Sequence, residues 1–104
     1  MKRYKVSISE PAEDDLDDII EYILTKLSAP AAALNLADAF EKAFDDLEEM
    51  PEKHPLVRDD RLAAMGYRRC RVKNYSVFFT VNNATLEVDV ERILYSRRDW
   101  ANIL

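Results

Sequence analysis

The sequence predicts a two-layer α+β domain, in which an N-terminal strand and an antiparallel helical hairpin precede a mainly antiparallel sheet. Apolar residues recur at intervals of three and four in the first half of the chain, which is typical of amphipathic helices. In the second half they recur at intervals of two, which is typical of strands. The 104 residues fit one domain, residues 1–104, which is large enough to bury a core without disulfides or metal.

The first elements are a short strand and two helices. Apolar and polar side chains alternate over residues 3–9 and predict a half-buried strand. Ser9 stands at the N-cap position of the next helix, with Pro11 in its first turn. Pro30 begins a second helix, which Pro51 ends. Because few residues separate the two helices, they are expected to form an antiparallel hairpin.

The segment from Glu52 to Gly66 has little periodicity and is expected to be a loop, with a short helical turn at residues 61–65. It contains the single histidine, His54, which is expected to lie at the surface. A strand then runs from Tyr67 to Val72. The Lys73-Asn74 pair is expected to connect it tightly to the next strand.

The last two strands are expected to meet at an Asn82-Asn83 hairpin turn, because asparagine tolerates a positive φ. Leu86 is expected to open the final strand. Its alternation slips between Val90 and Ile93, which indicates a β-bulge and leaves the face taken by Tyr95 open. The helical hairpin is expected to cover one face of the sheet and to leave the other bare for function.

The net charge of −5 conceals an asymmetry between the two halves of the chain. Acids cluster in the first half, at Glu13, Asp14, Asp15, Asp17, Asp18, Glu21, Asp45, Asp46, Glu48 and Glu49. Bases cluster in the second, at Arg58, Arg61, Arg68, Arg69, Arg71, Lys73, Arg92, Arg97 and Arg98. Faces of opposite sign would suit one polyanionic or acidic partner. The alternative is that the two halves neutralise each other in the fold.

Several classes of protein are disfavoured by the composition. The single cysteine, Cys70, excludes an internal disulfide and is expected to pack in the core. The chain begins without a secretory signal and contains no apolar run long enough to span a bilayer, so a cytoplasmic location without membrane association is expected. The acid run of the first helix is expected to be solvated, and no metal or cofactor site is expected.

A cationic, aromatic surface is the candidate functional site. Arg69 and Arg71 share one face of their strand because successive side chains alternate, and Lys73 lies beyond them. Arg97 and Arg98 are expected to extend this strip if the last strand lies nearby. Such a strip suits phosphates, and rings such as Trp100 suit stacked bases. Two alternatives stay open: the arginines protect a sheet edge from aggregation, and Trp100 packs back on the core.

The chain resembles the RelE/ParE family of bacterial toxins over essentially its whole length. The fragments that carry the resemblance are Tyr4-Lys5-Val6-Ser7-Ile8-Ser9 with Pro11-Ala12, Pro55-Leu56-Val57-Arg58, Gly66-Tyr67-Arg68, Asn74-Tyr75 with Phe78-Phe79, and Tyr95-Ser96-Arg97-Arg98-Asp99-Trp100. The resemblance implies the toxin of a type II toxin–antitoxin pair, of the kind that often stabilises plasmids. It also implies a cognate antitoxin that folds around the toxin in a hetero-oligomer.

The resemblance implies two mechanisms. The RelE branch cuts mRNA in the ribosomal A site without a metal, whereas the ParE branch inhibits DNA gyrase and is not known as a nuclease. A third interpretation is a decayed member that only binds its antitoxin.

Residue by residue, the resemblance assigns catalytic roles to Arg69, Arg71 and Arg98, with Tyr95 as a proton-transfer or stacking group. Lys73, Arg97 and Trp100 would bind substrate or partner. Two positions depart from the nuclease pattern. Ser76 stands where a further arginine is expected, and Tyr95 stands where many relatives have histidine.

Overall fold

The computed structural model describes residues 2–104 and confirms the two-layer α+β architecture. The strands are β1 (Lys5–Ile8), β2 (Arg68–Val72), β3 (Tyr75–Asn82) and β4 (Glu87–Tyr95). The helices are α1 (Glu10–Thr25), α2 (Pro30–Leu47), α3 (Asp60–Ala64) and α4 (Trp100–Ile103), with a 3₁₀ turn at Pro51–Lys53. The sheet order is β1-β4-β3-β2, with β1 parallel to β4 and the other pairs antiparallel.

The helical hairpin forms for the reasons that the sequence indicates. The Ser9 hydroxyl caps α1 by accepting a hydrogen bond from the Ala12 amide at 3.1 Å. Pro30 occupies the first turn of α2. The two helices bury their apolar stripes on one face of the sheet, against residues that include Val77, Val88, Val90 and Ile93. None of the helices formed by residues 2–104 is long and apolar enough to cross a bilayer.

The predicted β-bulge in β4 is confirmed and determines where the end of that strand points. Phe78 pairs with Arg92 and Phe79 pairs with Val90, so Glu91 is the extra residue. One inserted residue exchanges the faces of all that follow it. Ile93 consequently joins the core beneath the helices, and Leu94 turns to the opposite face.

The β3–β4 turn differs from the predicted Asn82-Asn83 hairpin. Four residues, 83–86, connect the strands. The positive φ of 56° falls on Leu86, which lies in the turn and not in β4. The Asn82 side chain instead accepts hydrogen bonds from the amides of Ala84, at 2.9 Å, and Thr85, at 3.1 Å. Asparagine therefore shapes this turn through its side-chain oxygen.

The expectation that the second face of the sheet is bare is wrong. A second apolar cluster covers much of it, centred on Val57, Leu62, Phe78 and Leu94. The segment that carries Val57 is fixed beside β2, because the Val57 amide donates to the Tyr67 carbonyl at 3.0 Å. The C-terminal helix α4 packs against the same cluster. What remains of this face is a narrow cleft.

Candidate functional site

Three arginines from two segments converge on the second face of the sheet. Arg69 and Arg71 extend from β2, and Arg58 comes from the loop fixed beside it. We call the resulting space the arginine cleft; its volume is about 250 Å³, and its lining is completed by Pro55, Leu56, Val57 and Trp100. Arg58 and Arg71 are exposed and Arg69 is half-buried. The prediction that Arg69 and Arg71 share this face is confirmed.

The guanidinium of Arg69 is held in place from two sides. Its Nε donates to the Oγ of Ser76 at 2.8 Å, and its Nη2 donates to the Ser96 carbonyl at 3.3 Å. The hydroxyls of Ser76 and Ser96 are themselves 2.9 Å apart and hydrogen-bonded. The Arg69 Cζ lies 5.8 Å from the ring centroid of Phe78 and 5.6 Å from that of Trp100, within cation–π distance of both.

The arginine cleft carries uncompensated positive charge. Within residues 2–104, none of Arg58, Arg69 and Arg71 forms an ion pair with a carboxylate. The pKa of Arg69 is lowered from its ordinary value, first by burial and then by the neighbouring charges of Arg71 and Arg58. Arginine nevertheless stays protonated in proteins. The cleft is therefore suited to an anionic group, which would relieve the repulsion among the three cations.

Trp100 connects the arginine cleft to the C-terminal helix. Its ring lies 5.3 Å from that of Phe78, centroid to centroid, and packs against the second apolar cluster. The alternative that Trp100 packs back on the core is therefore confirmed. Because one part of the ring also lines the cleft, a ligand there would contact it.

Arg98 and Tyr95 lie in a different place from Arg69. They line a separate cleft of about 160 Å³ together with Asp15 and Tyr75. Tyr95 packs edge to face on Tyr75, with 5.8 Å between ring centroids. Tyr75 itself packs on a ring of α2, which places both tyrosines on the helix side of the sheet. Of the four residues that the resemblance assigns to catalysis, Arg69 and Arg71 thus share one cleft, and Tyr95 and Arg98 share another.

The remaining predicted residues are also separated. Arg97 is exposed in the connection between β4 and α4. Lys73 occupies the β2–β3 turn with a φ of 54° and lines a cleft on the helix side. The predicted extension of the cationic strip by Arg97 and Arg98 is therefore wrong for Arg98, which faces the helices.

The shortest ion pair within residues 2–104 joins an acid of α1 to a base of β4. Arg92 binds Asp15 through two hydrogen bonds, of 2.7 and 2.9 Å, and the same carboxylate accepts from the Ile93 amide at 3.0 Å. The pKa of Arg92 is raised, chiefly by its hydrogen bond to Asp15. Asp15 of α1 therefore engages β4, and no acid of α1 pairs with Arg58, Arg69 or Arg71 within residues 2–104.

Sequence reasoning missed three residues of the site, Arg58, Ser76 and Ser96. Arg58 follows the apolar pair Leu56-Val57, which was the available sign that its loop packs on the protein. Leu56 bridges to β2 and Val57 is buried. Ser76 was noted only because it stands where the nuclease pattern has a further arginine. Its complete burial shows a polar group that needs a partner.

Comparison with known proteins identifies the family. A model of the ParE toxin of the type II toxin–antitoxin system parDE matches residues 6–100. The chain belongs to the ParE family of type II toxin–antitoxin toxins. No curated protein sequence matches it.

Three solved structures share the fold of this ParE-family toxin at low sequence identity. The chromosomal ParDE TA system from P. aeruginosa aligns with a TM-score of 0.72 at 18% identity, covering 89% of this chain and 96% of the other. The toxin–antitoxin complex RelBE2 from Mycobacterium tuberculosis gives 0.64 at 20% identity, covering 89% and 98%. The archaeal RelE–RelB complex from Pyrococcus horikoshii OT3 gives 0.59 at 21% identity, covering 92% and 98%. At such identities the likeness shows the fold.

Proposed function

We propose that this ParE-family toxin arrests bacterial growth by binding DNA gyrase and that it does not cut RNA. The observation that supports this most is the lining of the arginine cleft. It consists of three arginines, Trp100 and apolar residues. RNA cleavage without a metal needs groups that both donate and accept protons, and the cleft has no histidine, carboxylate or other conventional general base among its lining residues.

The contacts of Arg69 support the same conclusion. Its guanidinium is bound to Ser76 and Ser96 and stacked beside Trp100, so it serves as a fixed positive charge in the wall of the cleft. Tyr95, which the resemblance suggests for proton transfer or stacking, faces the helices. A binding toxin needs only a rigid surface of suitable charge. The match to the ParE model favours gyrase as its target.

An antitoxin is proposed as the second partner. The three similar structures are described as toxin–antitoxin systems or complexes. We expect the cognate antitoxin to cover the arginine cleft with an acidic or apolar segment, since the uncompensated charges of Arg58, Arg69 and Arg71 would be neutralised there. The toxin and antitoxin would then form a hetero-oligomer in which the toxin is inactive.

The test is controlled induction of the chain in bacteria, followed by mapping of transcript ends and measurement of DNA damage. We expect growth to stop, transcripts to stay intact and DNA breaks to accumulate. Co-expression of the neighbouring open reading frame should restore growth. The double variant Arg58→Ala/Arg71→Ala should be much less toxic. Its matched control is Arg3→Ala, which removes an exposed arginine that pairs with Glu48 at 3.1 Å.

New transcript ends within codons would overturn the binding mechanism in favour of mRNA cleavage. Harmless expression at high level, together with tight binding of the antitoxin, would identify a decayed toxin. Unchanged growth arrest in the double variant would remove the arginine cleft from the mechanism.

A further inference from the structure

A second cationic cleft lies across β2 from the arginine cleft, on the helix side of the sheet. It has a volume of about 350 Å³ and lies between α2 and β2. Lys42 of α2, Arg71 of β2 and Lys73 of the β2–β3 turn line it. We call it the lysine cleft. Its three cations are exposed; Arg71 and Lys73 are two residues apart, and Lys42 comes from the distant helix α2.

The lysine cleft is also electrically uncompensated. Asp46 is the carboxylate among its lining residues, and it already pairs with the ammonium of Lys53, at 3.5 Å. Within residues 2–104, Lys42, Arg71 and Lys73 have no carboxylate within ion-pair distance. In a chain of net charge −5 this local excess is opposite to the overall charge.

Arg71 belongs to both clefts, which makes them one continuous cationic surface around the edge of β2. A small anion would occupy one cleft only. A ligand that uses the whole surface must be long and must carry negative charge at short intervals. We propose that the edge of β2 binds the sugar–phosphate backbone of a nucleic acid, with Lys42 and Lys73 holding phosphates on the helix side.

Composition favours a nucleic acid over an acidic protein as this ligand. Lysine is depleted in the cores of protein–protein interfaces, whereas protein–nucleic acid interfaces are polar and strongly positive. Two of the three cations of the lysine cleft are lysines on exposed stems. This inference does not depend on gyrase inhibition, because it concerns direct binding of nucleic acid by the purified chain.

The experiment measures binding of the full chain to a fluorescent 20-base-pair DNA duplex by anisotropy at several salt concentrations. The test variant is Lys42→Gln/Lys73→Gln. The matched control is Lys2→Gln/Lys5→Gln, which removes the same charge near β1, at the opposite edge of the sheet. All four lysines are exposed, so the variants should fold; circular dichroism verifies this.

Each phosphate contact contributes about 0.9 to the slope of log affinity against log salt. The test variant should therefore lose about 1.8 from this slope, so that its affinity falls about tenfold less than the wild type's between 50 and 200 mM salt. The control should keep the wild-type slope. A single-stranded RNA of equal length that shows the same loss would also support binding of the phosphate backbone.

Equal slopes for the test and control variants would overturn the proposal, because the contacts would then lie elsewhere. Absence of DNA binding by the wild type at 50 mM salt would overturn it as well. Weaker binding of a glutamate-rich peptide by the test variant, with DNA binding unchanged, would assign the lysine cleft to an acidic protein instead.

Discussion

Replacing Ser76 by alanine removes the oxygen that holds the Arg69 guanidinium. The Ser76 Oγ accepts a charge-assisted hydrogen bond of 2.8 Å and shares another, of 2.9 Å, with the Ser96 hydroxyl. Bonds to charged groups contribute about 1.5–3 kcal/mol and neutral bonds about 0.5–1.5 kcal/mol. Because Arg69 is half-buried, water partly replaces the lost partner of its guanidinium in the variant. We therefore expect the free energy of unfolding to fall by about 2 kcal/mol.

A double-mutant cycle isolates this contact. Arg69→Lys keeps the charge but lacks the guanidinium Nε–H, and it is combined with Ser76→Ala. Urea unfolding of the four proteins should give a coupling energy of about 1 kcal/mol or more. The control is Ser7→Ala, a half-buried strand serine whose hydroxyl makes no hydrogen bond within residues 2–104. Its effect should stay within about 0.5 kcal/mol.

A coupling energy below about 0.3 kcal/mol would refute this reasoning, because additive effects indicate independent sites. Arg69 would then be held by the Ser96 carbonyl and by the rings of Phe78 and Trp100.

Three further results are expected, each from urea unfolding. Asp15→Ala should lower the free energy of unfolding by about 2–3 kcal/mol, because it leaves Arg92 and a buried amide without their acceptor; a loss below about 0.5 kcal/mol would contradict this. Trp100→Ala should cost about 2–3 kcal/mol through lost packing on Phe78, and an unchanged stability would show that α4 does not anchor the cluster. The pKa of His54 is lowered, first by burial. The free energy of unfolding should therefore be highest above pH 6.5 and should fall below that pH, because the unfolded chain takes up the proton more readily. His54→Leu should weaken this pH dependence, and equal profiles for the two proteins would exclude His54 as its cause.

The elements with local signals could be predicted from the sequence. Ser9 and Pro30 mark helix starts by capping and by fixed φ, which depend on nearby residues only. Arg69 and Arg71 could be placed on one face because β2 is regular. The slip of periodicity between Val90 and Ile93 predicted a bulge, which the structure places at Glu91.

The consequences of long-range packing could not be predicted. Whether Tyr95 faces the arginines or the helices depends on which residue bulges, since one residue reverses the face of every later side chain. The cover on the second face comes from the Val57 loop and from α4, neither of which shows strand or helix periodicity. Arg58 joins the cleft only through that loop. The sequence therefore predicted the residues that β2 contributes to the candidate site, and it missed those that the loops contribute.

Supercoiling of relaxed plasmid by purified DNA gyrase tests the central claim most directly. If the toxin acts by binding, the purified chain should inhibit supercoiling at concentrations near that of the enzyme, and Arg58→Ala/Arg71→Ala should inhibit far less. Full supercoiling at a large excess of toxin, with cutting of ribosome-bound mRNA by the same preparation, would contradict it.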